Sequence, residues 1–182
     1  MSQEANHNIF KSERIDKGHQ IVQTLLSLKE VKEFMEQNVL DFSSIDLNKN
    51  ETQDGKSISI PVKSENEEIS QFILAFEKED GVLKVKVLTL NTEDGLKVSF
   101  NDLNSSNKTT GIYDENFNLI KVEKNGELQS QDIVKCIYNY FMALPGWLQG
   151  FCGGACSTCL GGLAPACAAC AGCIGGNAWA CF

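Results

Sequence analysis

The first segment with a clear hydrophobic pattern is residues 18–39. Its apolar residues recur close to the helical period, with Lys and Glu in the remaining positions: Ile21, Leu25, Leu28, Met35 and Val39. This spacing predicts one amphipathic helix, whose apolar side needs another element to pack on. Residues 1–17, before it, are polar, and we expect them to be disordered.

After this helix the apolar residues recur with a period of two, which is typical of strands. They fall in four runs: Ile58, Ile60, Val62; Phe72, Leu74, Phe76; Leu83, Val85, Val87; and Leu96, Val98, Phe100. Residues 111–113 and 117–122 would add a further pair of strands. Three dipeptides allow the positive φ of tight turns: Asp80-Gly81, Asp94-Gly95 and Asn125-Gly126. The pattern predicts an α+β domain over residues 18–129, with the N-terminal helix packed on an antiparallel β-meander.

A second helical pattern follows the sheet. After a possible cap at Ser130, apolar residues step along one helical face until Pro145-Gly146 ends the segment: Ile133, Ile137, Phe141 and Leu144. We therefore predict a joining helix and linker over residues 130–151. Two interpretations stay open, because such a helix could dock on the sheet or seek a membrane.

Charge divides the chain into two parts. The sequence has 16 Lys and Arg against 24 Asp and Glu, a net charge of -8, which argues against a nucleic-acid partner. All of these charged side chains lie at or before Lys135, and residues 136–182 carry none. Charged residues interrupt the N-terminal stretch, so it has no signal-peptide core, and no run reaches the roughly 20 apolar residues of a lone transmembrane helix.

The uncharged part ends in a tandem repeat. Residues 155–168 read ACSTCLGGLAPACA and residues 169–182 read ACAGCIGGNAWACF, with all three cysteines of each unit in phase. Residues 152–182 therefore form a cysteine-rich segment that we expect to be cross-linked through Cys152, Cys156, Cys159, Cys167, Cys170, Cys173 and Cys181.

A double glycine stands directly before the first repeat unit. Gly153-Gly154, with Phe151 and Leu148 upstream, is similar to the site recognised by peptidase-containing peptide exporters. Cleavage between Gly154 and Ala155 would release both repeat units as one peptide with six cysteines. The alternative is that this Gly-Gly pair is only a flexible joint.

Two chemistries stay open for the cysteines. Disulfide or thioether cross-links would stabilise a Gly- and Ala-rich peptide that has little apolar bulk to bury, at roughly 2–4 kcal/mol for each bridge. A zinc thiolate site is the alternative, because two CxxC pairs have suitable spacing: Cys156, Cys159, Cys170 and Cys173. Cross-linking is favoured, since the tail has no Lys, Arg or His to offset the charge of four thiolates. The same lack of a cation argues against a redox-active CxxC pair.

The remaining sequence offers no catalytic signature. His7 and His19 are the only histidines and lie in or beside the polar N-terminus. We therefore predict that the protein is not an enzyme and needs no cofactor.

A charged N-terminal domain followed by an uncharged block rich in Cys, Gly and Ala resembles the precursors of halocin-like cysteine-rich bacteriocins. The resemblance rests on the cysteine series and Gly-Gly pairs of residues 152–182, and on residues 1–135 only in general layout. It implies that the C-terminal part is released and secreted as an antimicrobial peptide, while the N-terminal part serves as leader or immunity domain. The implied partners are an exporter or processing peptidase and the target bacterial membrane, and the precursor would be made in the cytoplasm.

The chain is also similar to leader-plus-core precursors of modified peptides. Two further interpretations remain beside the precursor hypothesis. One is a non-enzymatic zinc protein, and the other is a structural or membrane-anchoring tail.

Overall fold

The computed structural model describes residues 11–50, 55–77, 81–103, 108–114, 119–125 and 127–128. Within these residues nine strands form one antiparallel sheet, in which each strand pairs with its neighbours in the sequence. The strands are β1 Lys11–Ile15, β2 Ile45–Asn50, β3 Gly55–Val62, β4 Ile69–Glu77, β5 Leu83–Asn91, β6 Leu96–Asp102, β7 Lys108–Tyr113, β8 Leu119–Lys124 and β9 Glu127–Leu128. Two helices, α1 Gln20–Leu26 and α2 Lys29–Met35, and the 3-10 turn Phe42–Ser44 lie between β1 and β2.

The predicted α+β fold class is wrong. The described residues form a predominantly antiparallel β structure, and the only two helices among them have seven residues each. The strand β1 precedes the helices and occupies part of the stretch that we expected to be disordered. Its sequence, KSERI, has too little apolar alternation to be recognised, and pairing with β2 supplies the order.

The single helix predicted over residues 18–39 is interrupted at Ser27 and Leu28. The Ser27 hydroxyl donates a hydrogen bond to the Thr24 carbonyl over 2.6 Å, which is the kind of local bond that competes with helix continuation. Leu28 then adopts an extended conformation with φ -70° and ψ 136° as the N-cap of α2. The helical periodicity therefore continues through a break in the backbone.

One face of the sheet is covered by α1 and α2, and we call it the helix-covered face. Side chains alternate between the two faces along each strand, and residues directly opposite in antiparallel register share a face. From the helices, Ile21, Val22, Leu25 and Val31 are buried against the apolar residues of β2 to β5. These strand residues are Ile45, Leu47, Ile58, Ile60, Val62, Ile73, Ala75 and Val85.

The opposite side of the sheet, which we call the second face, is also buried in its centre. Its buried side chains come from β3 to β6: Ser57, Ser59, Phe72, Leu74, Leu88, Leu90 and Val98. None of them belongs to the core that the helices form with the helix-covered face. The central strands are therefore buried on both sides.

The tight turns behave as their dipeptides predicted. Gly81 and Gly95 have φ values of 79° and 86°, and Asn125 has φ 53°. Glycine reaches these angles at little steric cost, and Asn is among the residues that tolerate them best. The Asn125 side chain also accepts a hydrogen bond from the Lys108 amide over 2.8 Å, which ties this turn to the start of β7.

Candidate functional site

The site residues predicted from the sequence lie outside the described residues. These are the cross-linked cysteines Cys152, Cys156, Cys159, Cys167, Cys170, Cys173 and Cys181, the cleavage residues Gly153, Gly154 and Ala155, and the alternative zinc ligands within that cysteine set. The predicted joining helix and linker over residues 130–151 also lies outside them. The described sheet instead offers two candidate surfaces, a cleft beside α1 and the second face.

The cleft lies where the beginning of α1 passes over the ends of three central strands. It has a volume of about 360 Å³ and is open to solvent on one side. Lys56 of β3 and Glu77 of β4 are direct register partners, and Glu77 is also opposite Leu83 of β5, so these residues share the helix-covered face. The full lining is His19, Gln20, Ile21, Thr24, Leu47, Lys56, Glu77, Gly81 and Leu83.

His19 is held in the cleft by its role as the N-cap of α1. Its backbone is extended, and its Nδ1 accepts a hydrogen bond from the Ile21 amide over 3.3 Å. Because Nδ1 is the acceptor, the neutral imidazole carries its proton on Nε2. The Nδ1 lone pair is therefore used within the chain and is not free to act as a general base. The arrangement favours a structural role for His19.

The described residues also contain no cluster suited to a metal ion. Among residues 11–50, 55–77, 81–103, 108–114, 119–125 and 127–128, no three His, Cys, Asp or Glu side chains come together as possible ligands. Nor does any helix in those ranges have the length and apolarity to cross a membrane.

A negative charge is held beside the helical layer at Asp41. The Ser43 hydroxyl and the Ser43 amide both donate to Asp41 Oδ1, over 2.5 Å and 3.0 Å. These bonds lower the pKa of the Asp41 carboxyl from its ordinary value of 3.8, with the hydroxyl bond as the largest cause. The Asp41 amide donates to the Pro61 carbonyl over 2.8 Å, which anchors the turn to β3. This carboxylate therefore stabilises the fold locally.

The second face combines an apolar centre with one ion pair. The Lys86 ammonium donates to the Asp102 carboxylate between register partners on β5 and β6. The side chains are 13% and 44% exposed respectively, so the lysine is much the less accessible partner. Lys86 lies directly opposite the buried Leu74 of β4, which places the pair at the border of the apolar centre.

The sequence interpretation named several second-face residues, Phe72, Leu74 and Val98, but did not recognise that the sheet is buried on both faces. β4 contains four consecutive buried apolar residues, Phe72 to Ala75, and β5 contains the adjacent pair Val87 and Leu88. Unbroken apolar runs are typical of strands covered on both sides, whereas strict alternation is typical of one covered side. Treating the four period-two runs as one buried side concealed that they lie on two opposite faces of the sheet.

Comparison with known proteins gives no further guidance. No protein-family model, curated protein or solved structure matches the chain.

Proposed function

We propose that this chain is the precursor of a secreted, cysteine-rich antimicrobial peptide. The described sheet belongs to the leader or immunity part, and residues 155–182 form the released peptide. The observation that carries the proposal is the coincidence of two independent divisions in the sequence. All charged residues end at Lys135, and the in-phase cysteine repeat fills the end of the uncharged part.

The physical roles of the two parts differ accordingly. The N-terminal part supplies the whole net charge of -8, which favours solubility of the precursor. Its described residues form an extensive buried core on β2 to β6, so burial of apolar side chains can drive the folding of this part. The Gly- and Ala-rich repeat has few large apolar residues, and cross-links would compensate for them.

Release of the peptide requires one hydrolysis. Water adds across the Gly154–Ala155 amide bond, leaving a carboxylate on Gly154 and an amino group on Ala155. Cross-linking oxidises the six cysteines of the released part in pairs, and each disulfide removes two hydrogens. The electrons pass to a thiol-oxidising partner or to another disulfide by exchange.

Intact-mass spectrometry of culture supernatant tests the release. We expect the mass of residues 155–182, lowered by two hydrogens for each disulfide. Gly154→Val should abolish that species, because a branched side chain replaces glycine at the cleavage site. Gly162→Val is the matched control, since it changes the second residue of another Gly-Gly pair and leaves the cut intact. Detection of only the uncut chain inside cells, fully reduced, would reject the precursor proposal.

The released peptide is proposed to act on the membranes of competing bacteria. It carries no charge from side chains but has several larger apolar residues, Leu160, Leu163, Ile174, Trp179 and Phe182. Trp is a residue that favours the membrane–water interface. Trp179 is the single tryptophan of the peptide, so its fluorescence should shift to shorter wavelengths when lipid vesicles are added. An unchanged emission spectrum, with no leakage of trapped dye, would argue against this target.

Zinc binding is the second candidate because of one specific observation, the CxxC-x10-CxxC spacing from Cys156 to Cys173. Purification under reducing conditions, followed by elemental analysis, distinguishes the two proposals. Stoichiometric zinc that is lost in Cys156→Ser and Cys170→Ser, but retained in the control Cys167→Ser, would favour a metal site over a cross-linked peptide.

A further inference from the structure

The second face needs a cover that the described helices do not provide. Its seven buried side chains are no more than 3% exposed, and they include the large residues Phe72, Leu74, Leu88 and Leu90. The helices α1 and α2 pack on the helix-covered face, on the other side of the same strands. Because neither described helix lies on this face, a segment outside the described residues is the candidate cover.

The covered area runs across the sheet toward the last strands. Leu90 of β5 lies opposite Val98 of β6, and Val98 lies opposite Gly111 of β7. All three are buried, and glycine at the third position leaves room for an element to pass close to the backbone. Leu88 lies beside Leu90 on the same face. We call Leu88, Leu90, Val98 and Gly111 the docking strip.

We propose that residues 130–144 of the same chain form a helix that docks on this strip. The segment follows two residues after the end of β9, the last strand of the sheet. A helix of fifteen residues is about 22 Å long. The distance from β9 to β5 is four strand spacings, or about 19 Å. A helix folding back from the edge of the sheet therefore reaches β5.

The side chains of the segment fit such a docked position. Ile133, Ile137, Phe141 and Leu144 form one apolar helical face, whereas Asp132, Lys135 and Asn139 fall on the opposite side of the helix. The first group matches the apolar strip, and the second would face water. The cysteine repeat is a poorer occupant, because its residues are mostly Gly, Ala and Cys and offer less apolar area to bury.

This inference goes beyond the proposed function and does not depend on it, since the helix can dock whether or not a peptide is released. Its consequence for the precursor is that residues 130–144 would stay with the sheet after cleavage. The bond between Gly154 and Ala155 lies ten residues past Leu144 and would remain outside the docked helix.

Hydrogen exchange of the full chain, followed by mass spectrometry, tests the docking. The amides of residues 130–144 should be protected, and Ile137→Asp should lower that protection on the order of tenfold or more, because it buries a charge in the interface. Asn139→Asp is the matched control on the opposite helix side and should preserve protection. Protection in β4 should survive both changes, which shows that the sheet remains folded.

A second pair of variants identifies the face. Leu90→Asp should lower the protection of residues 130–144 by a similar factor, whereas Thr89→Asp, on the other face of the same strand, should not. The double variant Leu90→Asp with Ile137→Asp should be no worse than either single one, because both remove the same contact. If Leu90→Asp unfolds the sheet, the Ile137→Asp and Asn139→Asp pair still decides.

Four results would overturn the proposal. Residues 130–144 could exchange as fast as an unfolded peptide, or Ile137→Asp could leave their protection unchanged. Alternatively, Leu90→Asp could expose residues 152–182 instead, which would assign the strip to the cysteine-rich part. Protection that depends on protein concentration would assign it to a second copy of the chain.

Discussion

Packing of α2 on the sheet can be tested with two valines that differ in burial. Val31 of α2 is 0% exposed, and Val39, in the connection after the helix, is 61% exposed. Truncating Val31 to alanine removes two buried methyl groups and leaves a small cavity, a loss of about 2–3 kcal/mol. Alanine has a higher helix propensity than valine, which offsets about 0.5 kcal/mol of this loss in unfolding free energy. We therefore expect Val31→Ala to lower the free energy of unfolding by about 1.5–2.5 kcal/mol.

Urea denaturation of the full chain, followed by far-UV circular dichroism, measures this difference. The dependence of the unfolding free energy on urea should stay constant, so the shift in midpoint reports stability. Val39→Ala is the matched control, with an expected change of less than about 0.5 kcal/mol. Equal effects for the two substitutions would contradict the conclusion that α2 is held by burial on the helix-covered face.

Three further predictions concern local interactions. Asp41→Asn should destabilise the protein at pH 7, and the loss should become progressively smaller below pH 3.8. The pKa of Asp41 is lowered in the folded state, so this carboxyl group stabilises the fold only while it is ionised. Urea titrations at several pH values measure the effect. Arg14→Ala should lower the free energy of unfolding by less than about 1 kcal/mol, and by less still in high salt, because Arg14 is 56% exposed in its 2.9 Å ion pair with Asp46. Urea denaturation at two salt concentrations tests this. Gly81→Ala should lower the free energy of unfolding by about 1 kcal/mol in the same assay, through its φ of 79° alone, because no atom of the described residues lies within 4 Å of the added methyl group.

The strands were the most predictable part of the fold. The four period-two runs fall within β3, β4, β5 and β6, and these strands pair in sequential antiparallel order. Alternation is a direct consequence of strand geometry, and Gly81 and Gly95 mark turns whose φ angles few other residues adopt. Both signals are local, so they can be read without knowledge of the tertiary structure.

The fold class was wrong because two features of the N-terminal part gave little signal in the sequence. The order of β1 comes from pairing with β2 across the helical insertion, and its own sequence gives a weak signal. The break at Ser27 comes from a side-chain hydrogen bond inside a segment whose apolar spacing continues unchanged. Periodicity therefore identified Ile21 and Leu25 as buried, but it placed the exposed Val39 on the same side and omitted the fully buried Val22 and Val31, and it could not count the helices.

Part of the candidate functional surface was likewise predictable from the sequence, and part was not. The cysteine series and the Gly153-Gly154 pair were found by repetition and composition, and they lie outside the described residues. The second face was not recognised as a separate buried surface, because the runs that contain Ile58 and Phe72 were treated as one apolar side although they lie on opposite faces.

The two buried faces change where the chain divides physically. Charge alone places the boundary between the two parts after Lys135, inside the predicted joining helix. Burial favours a boundary later in the sequence than Lys135. The central sheet has two apolar faces and needs a cover on each, and α1 with α2 cover only one of them. If residues 130–144 supply the other, the folded part includes uncharged residues that belong to its own core. The division relevant to the proposed processing would then fall between Leu144 and Gly154, a stretch whose sequence contains the pairs Pro145-Gly146 and Gly153-Gly154, which disfavour a continuous helix.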